Sequence, residues 1–331
     1  MTVQITIIGL GQIGASIGLA LADQKAKVTR VGHDRDPGVA RQAEKKGALD
    51  KVIYNLPSAV RQADLVILAL PTDQIHDTLE IIASELKESA VVMDTSPIKE
   101  TVMGWVKELL PPDRHYVGLM PVINPAYLHT NESGVEAAQA DLFQGGLMAI
   151  VVPPSTATEA VKLAADLVRL LGSNPLFADA VEVDSLMAAT HTLPQLLAAC
   201  LLNATVDQPG WREGRKLAGK AYAEVTSPIT QLGSSETLSN SAVLAQEHMV
   251  RVINNLIVLL QIYRDDIQNK DTKSLTEKLE RARKGREDWW NQRKTSHWTG
   301  EEVVNVSGLP KSSDFFARLV GLGRRKEKPK K

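Results

Sequence analysis

Short apolar runs alternate with amphipathic stretches through the first half of this chain, and the alternation stops near Val181. Residues 3–8, 27–33, 64–71, 90–93, 116–118, 146–152 and 175–178 read as strands. Residues 37–46, 73–86, 98–109 and 156–171 have helical spacing, with Gly47 as the stop of the first. Asp64-Leu65-Val66-Ile67-Leu68-Ala69-Leu70-Pro71 is almost continuously apolar, as a parallel strand covered on both faces must be. That rhythm predicts an α/β doubly wound sheet. Beyond Val181 helical patterns take over, at 182–206, 212–225, 237–268 and 272–294. The 237–268 stretch has no internal Gly or Pro, and its apolar positions Val243, Leu244, Met249, Val250, Ile253, Leu256, Ile257 and Leu260 keep helical spacing. A helix of about 32 residues is about 48 Å long, too long for one small domain to cover. It predicts a homodimer that covers in a partner what its own chain cannot, with burial inside a single large helical domain as the alternative.

Composition narrows this picture only slightly. At 331 residues, 44% hydrophobic and 23% charged, with a net charge of −1, the chain suits a two-domain globular protein and gives no sign of nucleic-acid binding. The single cysteine, Cys200, rules out an intrachain disulfide and suits a reducing, cytoplasmic setting. No uncharged apolar run reaches the ~18 residues that span a bilayer. From His297 the pattern weakens. Residues 311–331 hold eight Lys/Arg against two Asp/Glu, a local charge of +6, behind the apolar Phe315-Phe316 and Leu319-Val320. A solvated tail is expected there, with weak contact to an acidic partner or membrane surface as the alternative.

The candidate chemistry begins at the first strand. Val3–Ile8 runs into Gly9-Leu10-Gly11-Gln12-Ile13-Gly14, and a helical segment follows at once. Gly9 permits the tight turn, Gly11 lets backbone approach a pyrophosphate, and Gly14 lets helix pack on strand. Phosphates would sit on the free N–H groups of that helix. An acid should end the second strand to hold the adenosine ribose, and Asp34 lies 25 residues beyond Gly9. Strand, glycines, helix, strand and acid in that order predict a Rossmann-like dinucleotide domain. Asp34 favours NAD by repelling a 2′-phosphate, while Arg35 keeps NADP as the alternative. Gln12 and Ile13 between the glycines, with Leu70 and Pro71 at the end of the 64–71 strand, complete the candidate cofactor residues. Three regions follow: a nucleotide domain at 1–180, a helical dimerisation and substrate domain at 181–296, and a basic tail at 297–331.

Further segments resemble one family, the prephenate/arogenate dehydrogenases. They are the 64–71 run, Val91-Val92-Met93-Asp94-Thr95-Ser96-Pro97-Ile98-Lys99, Tyr116-Val117-Gly118-Leu119-Met120-Pro121, and Ser133-Gly134-Val135-Glu136-Ala137-Ala138. In the second half they are Asp184-Ser185-Leu186-Met187-Ala188-Ala189-Thr190-His191-Thr192-Leu193-Pro194, the segment from Trp211 to Ala218, and Asn240. The similarity covers about residues 3–290. It implies a Rossmann domain, a helical dimerisation domain and an active site between them. NAD or NADP would oxidise a cyclohexadienol ring carbon, with loss of carbon dioxide and aromatisation. Such chemistry needs a histidine to take the ring hydroxyl's hydrogen bond or proton and cations to clamp carboxylates. No metal is expected.

The sequence departs from that family at four columns. In Asp-x-x-Ser-x-Lys, Asp94 and Lys99 stand, but Pro97 holds the serine column with Ser96 one place earlier. The expected catalytic histidine is Met120, which can neither take a proton nor charge. The second histidine column holds Thr192, with His191 a step before it. An α-helix turns each step by ~100°, which would point His191 elsewhere. Lys216 replaces the carboxylate-clamping arginine, beside Arg215. His191, Ser96 and Lys99 are the candidate catalytic residues, and Asn124, Thr192, Gln195, Arg215 and Lys216 the candidate substrate residues. Three readings follow: a dehydrogenase of this type with relocated polar groups, a dehydrogenase or reductase of another small carboxylate, or a non-catalytic NAD-binding sensor or scaffold.

Overall fold

The structure, a computed structural model, describes residues 3–24, 27–130, 132–231 and 234–296. The expected basic tail lies outside the described residues. Packing divides the chain between Val183 and Asp184 into two compact units.

The N-terminal unit alternates strand and helix: β1 (Val3–Ile8), α1 (Gln12–Ala20), β2 (Val28–His33), α2 (Pro37–Lys45), β3 (Lys51–Val52), α3 (Leu56–Val60), β4 (Leu65–Leu68), α4 (Ile75–Ile82), β5 (Val91–Asp94), α5 (Glu100–Leu109), β6 (His115–Pro121), β7 (Leu147–Val151), α6 (Thr158–Leu170) and β8 (Asn174–Phe177). The strands form one sheet in the order β3-β2-β1-β4-β5-β6-β7-β8. It is parallel except where β7 runs against β6. The near-continuous apolar strands now have their reason. Ile5, Ile7, Leu65 and Ile67 enter one core with α1, α2 and α6, while Ile8, Val66 and Leu68 enter a second with α3, α4 and α5. The very short β3 and α3 escaped sequence reading, because two paired residues and a one-turn helix carry almost no periodicity.

Register aligns the carboxyl ends of the central strands. His33, Ile8, Leu68, Asp94 and Gly118 lie side by side across β2, β1, β4, β5 and β6. The loops after them therefore leave from one edge. Strand order reverses between β1 and β4, which opens the ligand crevice of such sheets at the exit of β1.

A buried cation fixes the β2 side of that edge. Arg30 is 1% exposed and grips both carboxylate oxygens of Asp50, at 2.6 and 3.1 Å. It also donates to the carbonyls of Gly18 at 2.8 Å and Gly47 at 3.0 Å. One guanidinium thus ties α1, β2 and the turn after α2 together, using the fork geometry lysine lacks.

In the helical unit the pattern holds in outline and breaks at three points. The 182–206 stretch is α7 (Ala180–Met187), a π-turn (Ala188–Thr192) and α8 (Leu193–Val206). Pro194 lacks the N–H that residue 190 would receive, and its ring crowds that carbonyl, so the preceding turn widens. By length and composition Ala180–Val206 is apolar enough to cross a bilayer, although it carries Glu182, Asp184 and His191. The 212–225 stretch splits into α9 (Trp211–Leu217) and α10 (Lys220–Thr226), with Gly219 extended between them.

The single helix expected at 237–268 is instead α11 (Ser235–Leu244) and α12 (Gln246–Gln268), bent by 97° at Ala245. Ala245 ends one helix and begins the next, its N–H on Ser241 and its carbonyl receiving Met249. The corner buries Leu238, Ala245 and Met249. Their packing outweighs one turn of helix continuity, and no Gly or Pro marks the spot. The last helix is α13 (Thr272–Thr295), capped by Asp271, which accepts from the Ser274 N–H at 2.9 Å.

Replacing Arg30 by methionine removes the guanidinium from Asp50, which keeps the residue-30 N–H at 2.9 Å, and from the carbonyls of Gly18 and Gly47. Urea denaturation should show a loss of about 3 kcal/mol, and a change under about 1 kcal/mol would refute the clamp.

Candidate functional site

The glycine loop is built from close approaches. Gly9 has φ +87°, and a Cβ there would lie 2.4 Å from the Ala69 carbonyl oxygen. At Gly14 a Cβ would lie 1.9 Å from the Gly9 oxygen. These contacts press the start of α1 against the exits of β1 and β4. Gly11 is different, since a Cβ there would meet nothing within 4 Å. It caps α1 with no side-chain bond, and the first turn holds no acidic residue. The N–H groups of Gln12 and Ile13 therefore stand at a bare, positive helix end. Open space over Gly11 beside unsatisfied donors fits a pyrophosphate.

Asp34 lies just past the end of β2. Its Oδ2 accepts from the Leu10 N–H of the glycine loop at 2.8 Å, and its Oδ1 from the Asp36 N–H at 2.9 Å. A carboxylate has about four lone-pair positions, so capacity is left for ribose hydroxyls. The Leu10 contact, absent from the sequence reading, holds the acid to the loop. Arg35 is exposed, and Leu70 closes over Gly9 with Pro71 exposed beyond it. All nine candidate cofactor residues thus lie in the loops at one sheet edge or in the first turn of α1.

Ser96 and Lys99 turn inward. Lys99 is fully buried, its Nζ 2.7 Å from Asp94 Oδ1. Ser96 donates to the same oxygen at 2.6 Å, and Tyr116 donates to Asp94 Oδ2 at 2.5 Å. Gly118, paired with Asp94 in the sheet, makes room, because a Cβ there would press on the Lys99 stem at 2.9 Å. The result is a satisfied buried network that braces the ends of β5 and β6. Tyr116 was missed in sequence, and its only signal was a strand position two residues before a glycine that faces Asp94. Met120 lies further along β6, half-buried, opposite Ala149.

Asn124 is also engaged locally, accepting from the Ala126 N–H at 3.0 Å as the cap of a short turn.

In the helical unit His191 lies in the π-turn, where the α-helical step of ~100° does not apply. His191 is exposed as a residue, yet the surrounding protein desolvates its imidazole and lowers its pKa from the ordinary 6.5. It is neutral at neutral pH and able to accept a proton. Gln195 donates to the His191 carbonyl at 2.8 Å and steadies the turn, and Thr192 is buried at the start of α8. On α9, Lys216 is occupied by Glu213 at 2.7 Å. Arg215 beside it is exposed and has no ion-pair partner among the described residues.

A model of the nucleotide-binding domain of prephenate dehydrogenase matches residues 17–175. Cyclohexadienyl dehydrogenase of Zymomonas mobilis is 26% identical over 285 residues, covering 85% of this chain and 94% of that protein. Residues 17–175 are therefore similar to the nucleotide-binding domain of the prephenate dehydrogenase family. Prephenate dehydrogenase of Bacillus subtilis is 28% identical over 204 residues, and the aligned part spans 61% of this chain and about half, 53%, of that protein. Among solved structures, prephenate dehydrogenase from Aquifex aeolicus, in complex with hydroxyphenyl propionate and NAD+, has a TM-score of 0.76 at 19% identity, covering 87% of this chain and 98% of that one. Synechocystis arogenate dehydrogenase has a TM-score of 0.68 at 20% identity, covering 86% and 99%. At such identities the likeness shows the fold: a Rossmann-like parallel sheet followed by a helical region. The family match begins at Ile17, after the glycine loop, so the loop rests on its own geometry.

Gly11→Ala separates folding from binding. With nothing for the Cβ to meet, the melting temperature should move by under about 2 °C. NAD affinity in a calorimetric titration should fall at least about tenfold, and unchanged affinity would place the nucleotide elsewhere.

Proposed function

We propose that this prephenate dehydrogenase homologue is an NAD-dependent dehydrogenase of prephenate or arogenate, working toward tyrosine with relocated polar groups. The observation that carries the reading is the glycine loop with Asp34; within the helical unit, a neutral His191 and an Arg215 with no ion-pair partner among the described residues support it. Bound NAD supplies the hydride acceptor. His191 takes the ring hydroxyl's proton as hydride leaves the ring carbon, and loss of carbon dioxide completes aromatisation. Arg215 clamps a carboxylate with its guanidinium fork, because Lys216 is already held by Glu213. Asn124, Thr192 and Gln195 shape the surroundings. Ser96 and Lys99 act through Asp94, as positioning residues rather than as acid and base.

Two observations favour other readings. Met120 cannot handle a proton, and Ser96 and Lys99 are consumed by Asp94. A dehydrogenase of another small carboxylate, or a non-catalytic NAD-binding protein, would tolerate both.

The protein works as a homodimer in the cytoplasm. Val250, Ile257, Val258, Leu260 and Ile267 are all exposed on α12 and project in several directions around it. A helix apolar on more than one side needs cover on more than one side, and a second copy supplies it. Because the chain bends at Ala245, the reading places the dimer contact on α12 rather than on the whole of 237–268. Exposed Cys200 as a free thiol suits a reducing compartment.

Purified protein given NAD with prephenate, or with arogenate, should form reduced cofactor, and tight NAD binding without turnover on either would sink the dehydrogenase reading. His191→Ala should lower kcat by about 10²–10⁴-fold. The acidic limb of kcat/KM should lie below the ordinary 6.5, because the lowered pKa keeps the base neutral until the pH falls past it. Arg215→Ala should raise KM about tenfold, with Lys216→Ala near wild type, and the reverse order would reassign the clamp. Sedimentation equilibrium should give twice the chain mass, with Leu260→Asp monomeric.

A further inference from the structure

The connection from β6 to β7 has almost no regular structure, yet part of it is as buried as a strand. Val135, Ala137, Ala138, Leu142 and Phe143 are at most 6% exposed, and all but Ala137 join the core that contains Ala15 and Ile17 of α1. Hydrophobic burial alone would leave such a segment free to slide, and here polar contacts fix it. The Gln139 N–H donates to Ser16 Oγ at 2.9 Å, and Ser16 is fully buried on α1. Lys46, just after α2, donates its Nζ to the carbonyls of Val135 at 3.2 Å and Glu136 at 2.6 Å. Gln12, in the glycine loop itself, reaches the Ala137 carbonyl at 3.4 Å.

The far end of the same segment holds the turn after Met120 and Pro121. The Asn124 N–H donates to the Leu142 carbonyl at 2.6 Å, and Tyr127 Oη donates to Asp141 at 2.6 Å. A path of direct bonds therefore runs from the pyrophosphate end of α1, through residues 135–142, to the turn at 124–127. Val135, Ala138, Leu142 and Phe143 pack in the same core as α1, so a shift at one end is passed on rather than absorbed.

We propose that residues 133–143 form a coupling strap, with Ser16 and Lys46 as positioning residues, through which cofactor binding at α1 orders the Asn124–Tyr127 turn for the substrate. This deepens the dehydrogenase reading and rests on it only for the identity of the substrate. Because binding linkage is reciprocal, the same strap makes the carboxylate substrate tighten NAD. Lys46 is the residue to change, since it is exposed, touches no cofactor residue and binds only the strap's carbonyls. Lys45, its exposed neighbour, has no such contact and serves as the control.

The test is hydrogen exchange on the full chain, with and without saturating NAD. In the wild type and Lys45→Met, NAD should slow exchange of the amides at 126–128 at least about fivefold, the low end of measured couplings. In Lys46→Met that slowing should shrink to under about twofold, with the calorimetric NAD affinity of the free enzyme within about threefold of wild type. Ser16→Ala should act in the same direction. With prephenate as substrate, Lys46→Met should raise KM and leave kcat within about twofold. A strap that only stabilises the fold would lower the melting temperature and leave the NAD-dependent slowing intact, which would overturn the proposal. Absence of NAD binding in the wild type would instead overturn the cofactor reading, and normal slowing without prephenate turnover would overturn only the substrate.

Discussion

The approach of Gly14 to the Gly9 carbonyl is the constraint on which the rest of this site depends. No side chain fits there, because a single added carbon would lie 1.9 Å from that oxygen. The consequence is geometric. Helix α1 begins where β1 ends, with its uncapped N–H groups at the sheet edge. Asp34 is then within reach to bond the loop's Leu10 N–H, and Ser16, one turn further along α1, meets the β6–β7 segment. A looser start to α1 would lose the anion site, the acid's fixed position and the strap together.

Much of this was legible in the chain. Gly9, Gly14 and Asp34 could be read because their roles are set by backbone sterics and spacing, which sequence displays directly. The doubly wound order could be read because strands covered on both faces must be apolar throughout, as 65–68 is. What escaped depends on contacts between distant residues. The corner at Ala245 leaves no local signal, since its cause is the burial of Leu238, Ala245 and Met249. The π-turn at His191 was visible only as Pro194, and its effect on helix phase requires knowing how the preceding turn adapts.

The substrate end is harder to read for a physical reason. A polar side chain in a motif announces chemistry but not direction. Ser96 and Lys99 match a family pattern closely enough to suggest catalysis, yet both close on Asp94, with Tyr116 completing the set. Arg215 and Lys216 are adjacent cations, a planar fork beside a point charge, and only Lys216 has an ion pair to Glu213. Beside Pro97, Ser96 and Lys99 brace Asp94, and beside Lys216, Arg215 stays exposed.

The central claim is that this nucleotide end holds NAD through the glycine loop and the Asp34 carboxylate. The most direct measurement is a calorimetric titration of the purified protein with NAD and, separately, with NADP. NAD should bind at least about tenfold more tightly, a difference of about 1.4 kcal/mol, because a 2′-phosphate would meet Asp34. Equal or tighter binding of NADP would contradict it, as would failure of both to bind.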